Sequence, residues 1–377
     1  MDINIQEGFH QSDIKVSIVG VGGGGNNAIN HLSVHGVHNS IRLVAVNTDA
    51  QHLRNVSAHV KIQIGEKTTR GYGAGMLPEK GRKSAEESYE AIKDSIRDSN
   101  IVFITTGLGG GTGTGASPVV AKAAKEIGAL VIGVVTKPFR VEGKQREKLA
   151  EEGVKEIKDE VDAIIVIPNE KLLSIVSKSL GMKDSLKLVD NVLAQAVNGI
   201  SSFVLNPSNE GANVDYADLM TTMEFKGLAL IGVGSKQGED AAVEAVKEAV
   251  SSPLLDNLSI KGARGAITYF EINENFPVTS LMGAAEIIDQ SIDSSATNKI
   301  GWSYNNNLSV DEVKVTLVVT GFEKEILQKD DIQCDGSVKI TKTKKTASIR
   351  KVSGEYSDLI IDGQDLDSPT FLRNQMD

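Results

Sequence analysis

The chain of 377 residues is long enough for two domains, and its 40% hydrophobic and 24% charged residues are typical of a globular protein. A formal net charge of -10 excludes a general nucleic-acid binder, and a single cysteine, Cys334, excludes an intramolecular disulfide framework. Six histidines without clustered spacing predict no protein-bound metal, and the absence of a long apolar segment or signal-peptide layout predicts a cytoplasmic protein without direct membrane insertion.

From residue 13 to about 178, apolar runs alternate with amphipathic helical stretches. The runs are KVSIVG, RLVAVNT, IVFITT, ALVIGVVT and AIIVIP. This alternation predicts an α/β fold with a parallel sheet covered by helices, in which ligands bind at the carboxyl ends of the strands. Glycine or polar residues follow each run: 22–27, 47–49, 107–115, 136–142 and 169–170.

The first glycine loop, GVGGGGNNAIN at 20–30, has two interpretations. Gly20, Gly22 and Gly25 match G-x-G-x-x-G after a strand, and Asp49 lies where a dinucleotide-binding fold keeps its ribose acid. Alone, this pattern indicates an NAD-dependent oxidoreductase. A second glycine loop favours a triphosphate instead, because a dinucleotide needs one pyrophosphate cradle. The P-loop motif G-x-x-x-x-G-K-S/T is absent.

The second loop, GLGGGTGTG at 107–115, could be a linker, a tight turn or a phosphate cradle. It joins a strand pattern to a helix for which we predict Ser117 as N-cap and Pro118 as the first residue. A strand, a glycine loop and a helix N-terminus together favour phosphate, with some glycines at positive φ.

Two further groups of charged residues follow. Glu142 and Arg146 are one helical turn apart, a spacing that by itself favours a surface salt bridge. A long buried helix is predicted from Asp184 to Leu205, and NVDYAD lies just beyond it. If YADLMTTM is helical, Asp215 and Asp218 share a face and could polarise one water or hold a cation. Alternatively, Asn213 or Asp215 caps that helix. These acids lie in the half of the chain that lacks the glycine loops.

The C-terminal part predicts a second, smaller α+β domain. Its strands are LALIGVG, GAITYFEI, KIGWSY and VKVTLVVTGF, and its helices are DAAVEAVKEAV and SLMGAAEIIDQSI. After Phe322 the pattern fades into a polar, basic stretch that predicts a disordered linker. The end of the chain, DLDSPTFLRNQMD, carries apolar residues, but by itself it favours an inert tail over a partner-binding segment.

Several motifs in order resemble one family, FtsZ, the bacterial tubulin-like cell-division GTPases. The motifs are GVGGGGNNA, NTDAQ, RGYGAGMLPEKGR, GGGTGTG, TKPFRVEGKQR, VIPNEKLL, NVDYADL and SPTFLRNQ. The resemblance implies six parts: a flexible tail (1–12), a GTP-binding domain (13–183), a central helix (184–206), a C-terminal α+β domain (207–322), a flexible linker (323–364) and a partner-binding peptide (365–377).

The resemblance also implies that the chain binds GTP and GDP with Mg²⁺. The implied nucleotide residues are Gly23, Gly24, Gly25, Asn26, Asn27, Asn47, Asp49, Ala74, Gly75, Gly109, Gly110, Gly111, Thr112, Gly113, Thr114, Glu142, Arg146, Asn169 and Asp190. Asn169 and Asp190 would read the guanine edge. Three residues depart from the family pattern: Asn26 replaces a small residue, Leu186 replaces an aromatic residue and Glu170 replaces an aspartate.

Asn213, Asp215 and Asp218 are implied to be catalytic, in a loop that enters the nucleotide site of the next subunit. The implied protein polymerises head to tail into filaments of the cytokinetic ring at mid-cell. Its terminal peptide, Asp365 to Gln375, would bind membrane-anchoring and regulatory division proteins. A filament that binds GTP without hydrolysing it is a further alternative, which Asp215 and Asp218 disfavour.

Overall fold

The computed structural model describes residues 14–172, 181–205, 216–223, 227–252, 262–293 and 296–322, with 360–361 and 364–365. Residues 1–327 form one compact unit and residues 328–377 form another. In the second unit, the described residues are two short antiparallel strands, β11 (Ile360–Ile361) and β12 (Gln364–Asp365). The rest of the predicted linker and terminal peptide, and the predicted N-terminal tail, lie outside the described residues.

The first half of the first unit alternates strands with helices, as predicted. Its elements are β1 (Val16–Val21), α1 (Gly22–His35), β2 (Ile41–Asn47), α2 (Ala50–Arg54), β3 (Val60–Gln63), α3 (Pro78–Glu87), α4 (Tyr89–Ile96), β4 (Ile101–Gly107), α5 (Thr112–Glu126), β5 (Leu130–Lys137), a 3₁₀ turn (Arg140–Glu142), α6 (Lys144–Glu160), β6 (Ala163–Pro168) and α7 (Asn169–Leu172). The sequence did not predict β3, a short edge strand with only Ile62 buried, which therefore lacks an apolar run.

The predicted long helix and second group of elements also form. The elements are α8 (Met182–Leu205), α9 (Tyr216–Met223), β7 (Gly227–Gln237), α10 (Ala241–Val250), β8 (Gly265–Ile272), α11 (Val278–Ser291), β9 (Thr297–Tyr304) and β10 (Glu312–Thr320). Helix α8 has 24 residues and is therefore about 36 Å long. The stretch YADLMTTM is helical, as α9.

One mixed sheet of ten strands runs through the unit in the order β3-β2-β1-β4-β5-β6-β7-β10-β8-β9. The first seven strands in this order, from β3 through β7, are parallel to one another, so their carboxyl ends lie at the same edge of the sheet. Strand β7 pairs with β6 through its first three residues and with antiparallel β10 through Leu230 to Gln237. The sheet therefore continues from the first group of strands into the second.

Alternate residues of the parallel strands enter two cores, because successive side chains point to opposite faces. Ile18 and Leu43 pack with α1 and α8, whereas Val19 and Val102 pack with α4 and α5. A third core lies between α10, α11 and strands β8 and β10. Within the described ranges, every helix is too short or too polar to cross a membrane.

Candidate nucleotide site

Two helices begin at the carboxyl ends of neighbouring strands. Val21, the last residue of β1, pairs with Thr106 of β4, and α1 begins at the next residue, Gly22. After β4, the chain turns through residues 108–111 and begins α5 at Thr112. Neither helix has an acidic residue in its first turn. Their unpaired N–H groups and dipoles favour an anion at this edge of the sheet.

The two glycine loops pack against each other. A Cβ atom on Gly22 would lie 2.8 Å from the amide nitrogen of Gly113, and one on Gly24 would lie 3.0 Å from that of Gly107. Gly22 has a φ of 71° and Gly109 a φ of 94°, which other residues rarely adopt. Positive φ in the second loop is thus confirmed, at Gly109 alone.

Gly23 and Gly110 have no such structural requirement. A Cβ atom at either position would meet nothing within 4 Å, and neither residue has a positive φ. The protein itself would therefore accept a side chain at both positions. Open space beside the backbone at the first turn of α1 and in the loop before α5 is what a bound phosphate would fill.

The predicted start of α5 is wrong. The helix begins at Thr112, not after Ser117, and Pro118 lies inside it. The amide of Gly115 donates to the carbonyl four residues earlier over 3.1 Å, so the turn before the proline is already helical. A side chain on Gly115 would collide with the carbonyl oxygen of Pro78 in α3. Close packing on α3 thus stabilises this glycine-rich turn and brings the helix N-terminus to the loop itself.

The segment after β2 contacts both the second glycine loop and the loop between β3 and α3, residues 64–77. The hydroxyl oxygens of Thr48 and Thr112 are 2.6 Å apart, which fixes the end of β2 to the start of α5. The carbonyl of Thr48 accepts a hydrogen bond from the amide of Gly73 over 3.2 Å. The predicted residues Ala74 and Gly75 therefore follow a residue that is anchored beside the glycine loops.

Asn47 and Asp49 hold the turn after β2. The side-chain oxygen of Asn47 accepts from the amide of Asp49 over 3.1 Å. Asp49 Oδ1 caps α2 by accepting from the amides of Gln51 and His52 over 2.9 and 3.0 Å. The buried Thr48 between them, which the sequence analysis missed, makes the contact with α5. Its place inside the motif NTDA was the signal that could have identified it.

Glu142 and Arg146 form a partly buried ion pair beside the second glycine loop. Glu142 accepts from Arg146 Nη1 over 2.5 Å and, through its other oxygen, from the amide of Phe139 over 2.9 Å. A Cβ on Gly109 would lie 2.6 Å from the carbonyl oxygen of Arg146. Arg146 Nε is buried without a hydrogen-bond partner in the part of the chain that the structure describes. The pair thus lies against the loop and not on a remote surface.

Two buried amides and one carboxyl group mark the region around α8. Neither amide atom of Asn26 in α1, nor the side-chain oxygen of Asn169 in α7, has a hydrogen-bond partner among the described residues. Burial raises the pKa of the Asp190 carboxyl, in α8, from 3.8 to about 6. Helices α1 and α7 both pack against α8. Buried polar groups without partners are costly, so the two amides are suited to hydrogen-bond a ligand, and a carboxyl group with a raised pKa is typical of a functional site.

The other two residues that depart from the family pattern lie close to these positions in sequence. Leu186 lies one helical turn before Asp190, and its side chain is 46% exposed. Glu170 Oε2 accepts from the amide of Arg140 over 3.0 Å, so it holds the loop that follows β5. The described residues contain no group of three or more His, Cys, Asp or Glu side chains that could bind a metal.

Of the three predicted catalytic residues, the structure describes only Asp218, because Asn213 and Asp215 lie outside the described ranges. Asp218 lies in the first turn of α9. The hydroxyl of Tyr216 in the same helix donates to the carbonyl of Asn100, immediately before β4, over 3.1 Å. The glycine loop follows the other end of β4, a seven-residue strand, about 23 Å away. The structure therefore does not bring the start of α9 to the glycine loops of the same subunit.

Comparisons with known proteins identify the family of the chain. The Tubulin/FtsZ GTPase-domain model matches residues 15–177, and the FtsZ C-terminal-domain model matches residues 227–323. The chain is 43% identical over 365 residues to the cell division protein FtsZ of Helicobacter pylori, covering 96% of this chain and 93% of that protein. An empty FtsZ dimer from M. jannaschii is 44% identical, with a TM-score of 0.76 over 83% of this chain and 89% of that one.

A more distant structure shares the fold. CetZ2 from Haloferax volcanii, solved as a GTPγS-bound protofilament, has 20% identity and a TM-score of 0.70 over 82% of this chain and 94% of that one. Together, the fold and the site define a tubulin-like GTPase. The chain belongs to the FtsZ family of cell-division GTPases. The resemblance found in the sequence is confirmed, and the alternative of an NAD-dependent oxidoreductase is set aside.

Proposed function

We propose that this GTPase hydrolyses GTP at a site that is complete only between two subunits stacked head to tail. The backbone N–H groups of Gly23 and Gly110, with their loops, would hold the phosphates. The Asp190 carboxylate would accept hydrogen bonds from the guanine N–H groups, and Asn169 would contact the same edge of the base. Glu142 with Arg146 would contact the ribose and phosphate side. Mg²⁺, when bound with the nucleotide, would neutralise phosphate charge.

The observation that carries this proposal is the hydrogen bond from Tyr216 to the carbonyl of Asn100. It ties the helix of Asp218 to the amino end of β4, whereas the glycine loops lie at the carboxyl end. A second subunit stacked along the strand direction would place its Asn213, Asp215 and Asp218 over the nucleotide of the first. A heterologous contact of this kind generates an open filament.

In this arrangement the protein contributes positioning and electrostatics. Asp215 and Asp218 would orient a water molecule in line with the γ-phosphate, and the glycine-loop N–H groups would stabilise the charge that develops on the phosphate oxygens. The reaction would leave GDP in the site. Because the acids arrive with the neighbouring subunit, hydrolysis would require polymerisation.

The proposal extends to the cell and to the organisation of the chain. We place GTP binding in residues 13–183 and the delivery of the acids in 207–322, with α8 between them. The filament would build the division ring at mid-cell in the cytoplasm. Residues 365–377, joined through the linker 323–364, would bind membrane-anchoring and regulatory division proteins.

Phosphate release measured over a range of protein concentrations tests the proposal. Turnover per subunit is expected to rise steeply above a critical concentration. Asp215→Ala is expected to bind GTP within about threefold of the wild type and to lose most turnover, about 100-fold or more. Asp215→Ala should then be mixed with Gly110→Ser, at GTP concentrations that fill the site of Asp215→Ala but not that of Gly110→Ser. The intact acids of Gly110→Ser should restore part of the turnover at the nucleotide of Asp215→Ala. Turnover independent of concentration, or no recovery in the mixture, would contradict the shared site.

A further inference from the structure

A lysine from the edge strand of the sheet holds the one predicted catalytic acid that the structure describes. Lys299 Nζ lies 2.8 Å from Asp218 Oδ1, and the two side chains are 43% and 27% exposed. Lys299 belongs to β9 and Asp218 to α9, so the pair joins two elements that are far apart in the sequence. The contact is therefore set by the tertiary fold.

The alternation of β9 explains why Lys299 points towards α9. Ile300 and Trp302 line an apolar cavity together with Leu281 and Met282 of α11. Because successive residues of a strand face opposite sides, Lys299 projects to the other face. Helix α9 lies on that side, where its Leu219 packs into the same core as Ile267 and Tyr269 of β8.

The backbone of α9, which carries Asp218, is fixed in position relative to this lysine. Leu219 and Met223, one helical turn apart, are 0% and 1% exposed and anchor the helix in the core. The hydroxyl of Tyr216 anchors its first residue to the carbonyl of Asn100. With the backbone held at both ends, the torsions of the Asp218 side chain are the remaining freedom of the carboxylate, and the ammonium group restricts them.

An ion pair of this exposure contributes little to folding, since such pairs are weak in water. Its consequence lies in the reaction, because a carboxylate that must orient a water molecule in line with a phosphate has to be held in one rotamer. We propose that Lys299 is a positioning residue for GTP hydrolysis, which orients Asp218 before the neighbouring nucleotide arrives. This inference rests on the proposed function, in which Asp218 serves the next subunit.

The test compares Lys299→Ala and Lys299→Arg with a matched control. Lys236→Ala is the control, because Lys236 of β7 forms a similar half-exposed ion pair with Glu248 of α10 over 3.1 Å. Measurements are kcat and KM for GTP at protein concentrations well above the critical concentration, GTP affinity and the melting temperature. Asp218→Asn and the double variant Asp218→Asn with Lys299→Ala complete a cycle.

Lys299→Ala is expected to lower kcat about tenfold, with KM, GTP affinity and melting temperature close to those of the wild type. Lys299→Arg should recover kcat to within about threefold, because it restores the cation. In the Asp218→Asn background, Lys299→Ala should cause no further loss.

Two results would overturn the inference. One is a kcat of Lys299→Ala equal to that of Lys236→Ala, and the other is an undiminished effect of Lys299→Ala when Asp218 is already replaced. Either result with an inactive Asp218→Asn removes the role of Lys299 and leaves the shared site intact. Full turnover by Asp218→Asn would instead remove Asp218 from the proposed function, and the role of Lys299 with it.

Discussion

Replacing Asp190 by asparagine should make the nucleotide-free protein more stable and its nucleotide binding weaker. Burial raises the pKa of this carboxyl from 3.8 to about 6, so the folded chain pays to keep the group ionised at neutral pH. Each pKa unit corresponds to about 1.4 kcal/mol, which sets an upper limit of about 3 kcal/mol. Because the side chain is only half-buried, solvent screening reduces the expected gain to about 1–2 kcal/mol at pH 7.5.

The sign of the pH dependence follows from linkage. The folded chain binds the Asp190 proton more tightly than the unfolded chain, so this group lowers the free energy of unfolding as pH rises from about 4 to about 6. The difference in stability between Asp190→Asn and the wild type should therefore be small near pH 4 and full above pH 6. Urea denaturation without nucleotide at several pH values measures it.

Nucleotide binding should move in the opposite direction. A carboxylate can accept both guanine N–H groups, whereas an amide accepts one and opposes the other, so Asp190→Asn should lose about 10- to 100-fold in GTP affinity. In the wild type, affinity should fall as pH drops below about 6, because the carboxyl is then protonated. A variant that is less stable than the wild type at pH 7.5 and binds GTP equally well would refute this reasoning.

Two further predictions concern the glycine loop and the end of the chain. Gly110→Ser should leave the melting temperature of the nucleotide-free protein unchanged, since a Cβ there has open space. It should weaken GTP binding roughly 5- to 150-fold, because the side chain would meet the phosphate and cost it hydrogen bonds to the loop. Gly262→Ser, also in open space, is its control, and equal GTP affinity of the two variants would exclude a phosphate cradle at Gly110. Deleting residues 365–377 should leave GTP hydrolysis and light scattering by filaments nearly intact while abolishing co-sedimentation with membrane-anchoring division proteins, and retained co-sedimentation would exclude the terminal peptide as their site.

The sequence predicted those parts of the fold in which periodicity and burial agree. The parallel strands are buried on both faces, so they appear as continuous apolar runs, and α8 has apolar residues at helical spacing. The start of α5 was missed because Ser117 and Pro118 are a standard N-terminal signal, whereas the packing of Gly115 on Pro78 is a tertiary effect. Strand β3 was missed because only Ile62 in it is buried.

The same distinction between local and tertiary features applies to the candidate site. Its glycine loops are local motifs and could be recognised from the sequence. The bond between Thr48 and Thr112 joins loops 64 residues apart, and the pair of Lys299 with Asp218 joins a strand to a helix that precedes it by about 80 residues. No local sequence pattern encodes such contacts, because they depend on which strands and helices the tertiary fold places side by side.

The bond between Tyr216 and Asn100 has an arithmetical consequence if the acids act as proposed. A filament of n subunits would contain n − 1 complete catalytic centres, so a dimer would reach only half of the limiting specific activity and long polymers would approach it. One terminal subunit would always carry a nucleotide that no neighbour attacks. The two tips of a polymer would therefore differ chemically, because one exposes a triphosphate that no neighbour attacks and the other exposes a set of acids with no nucleotide to act on.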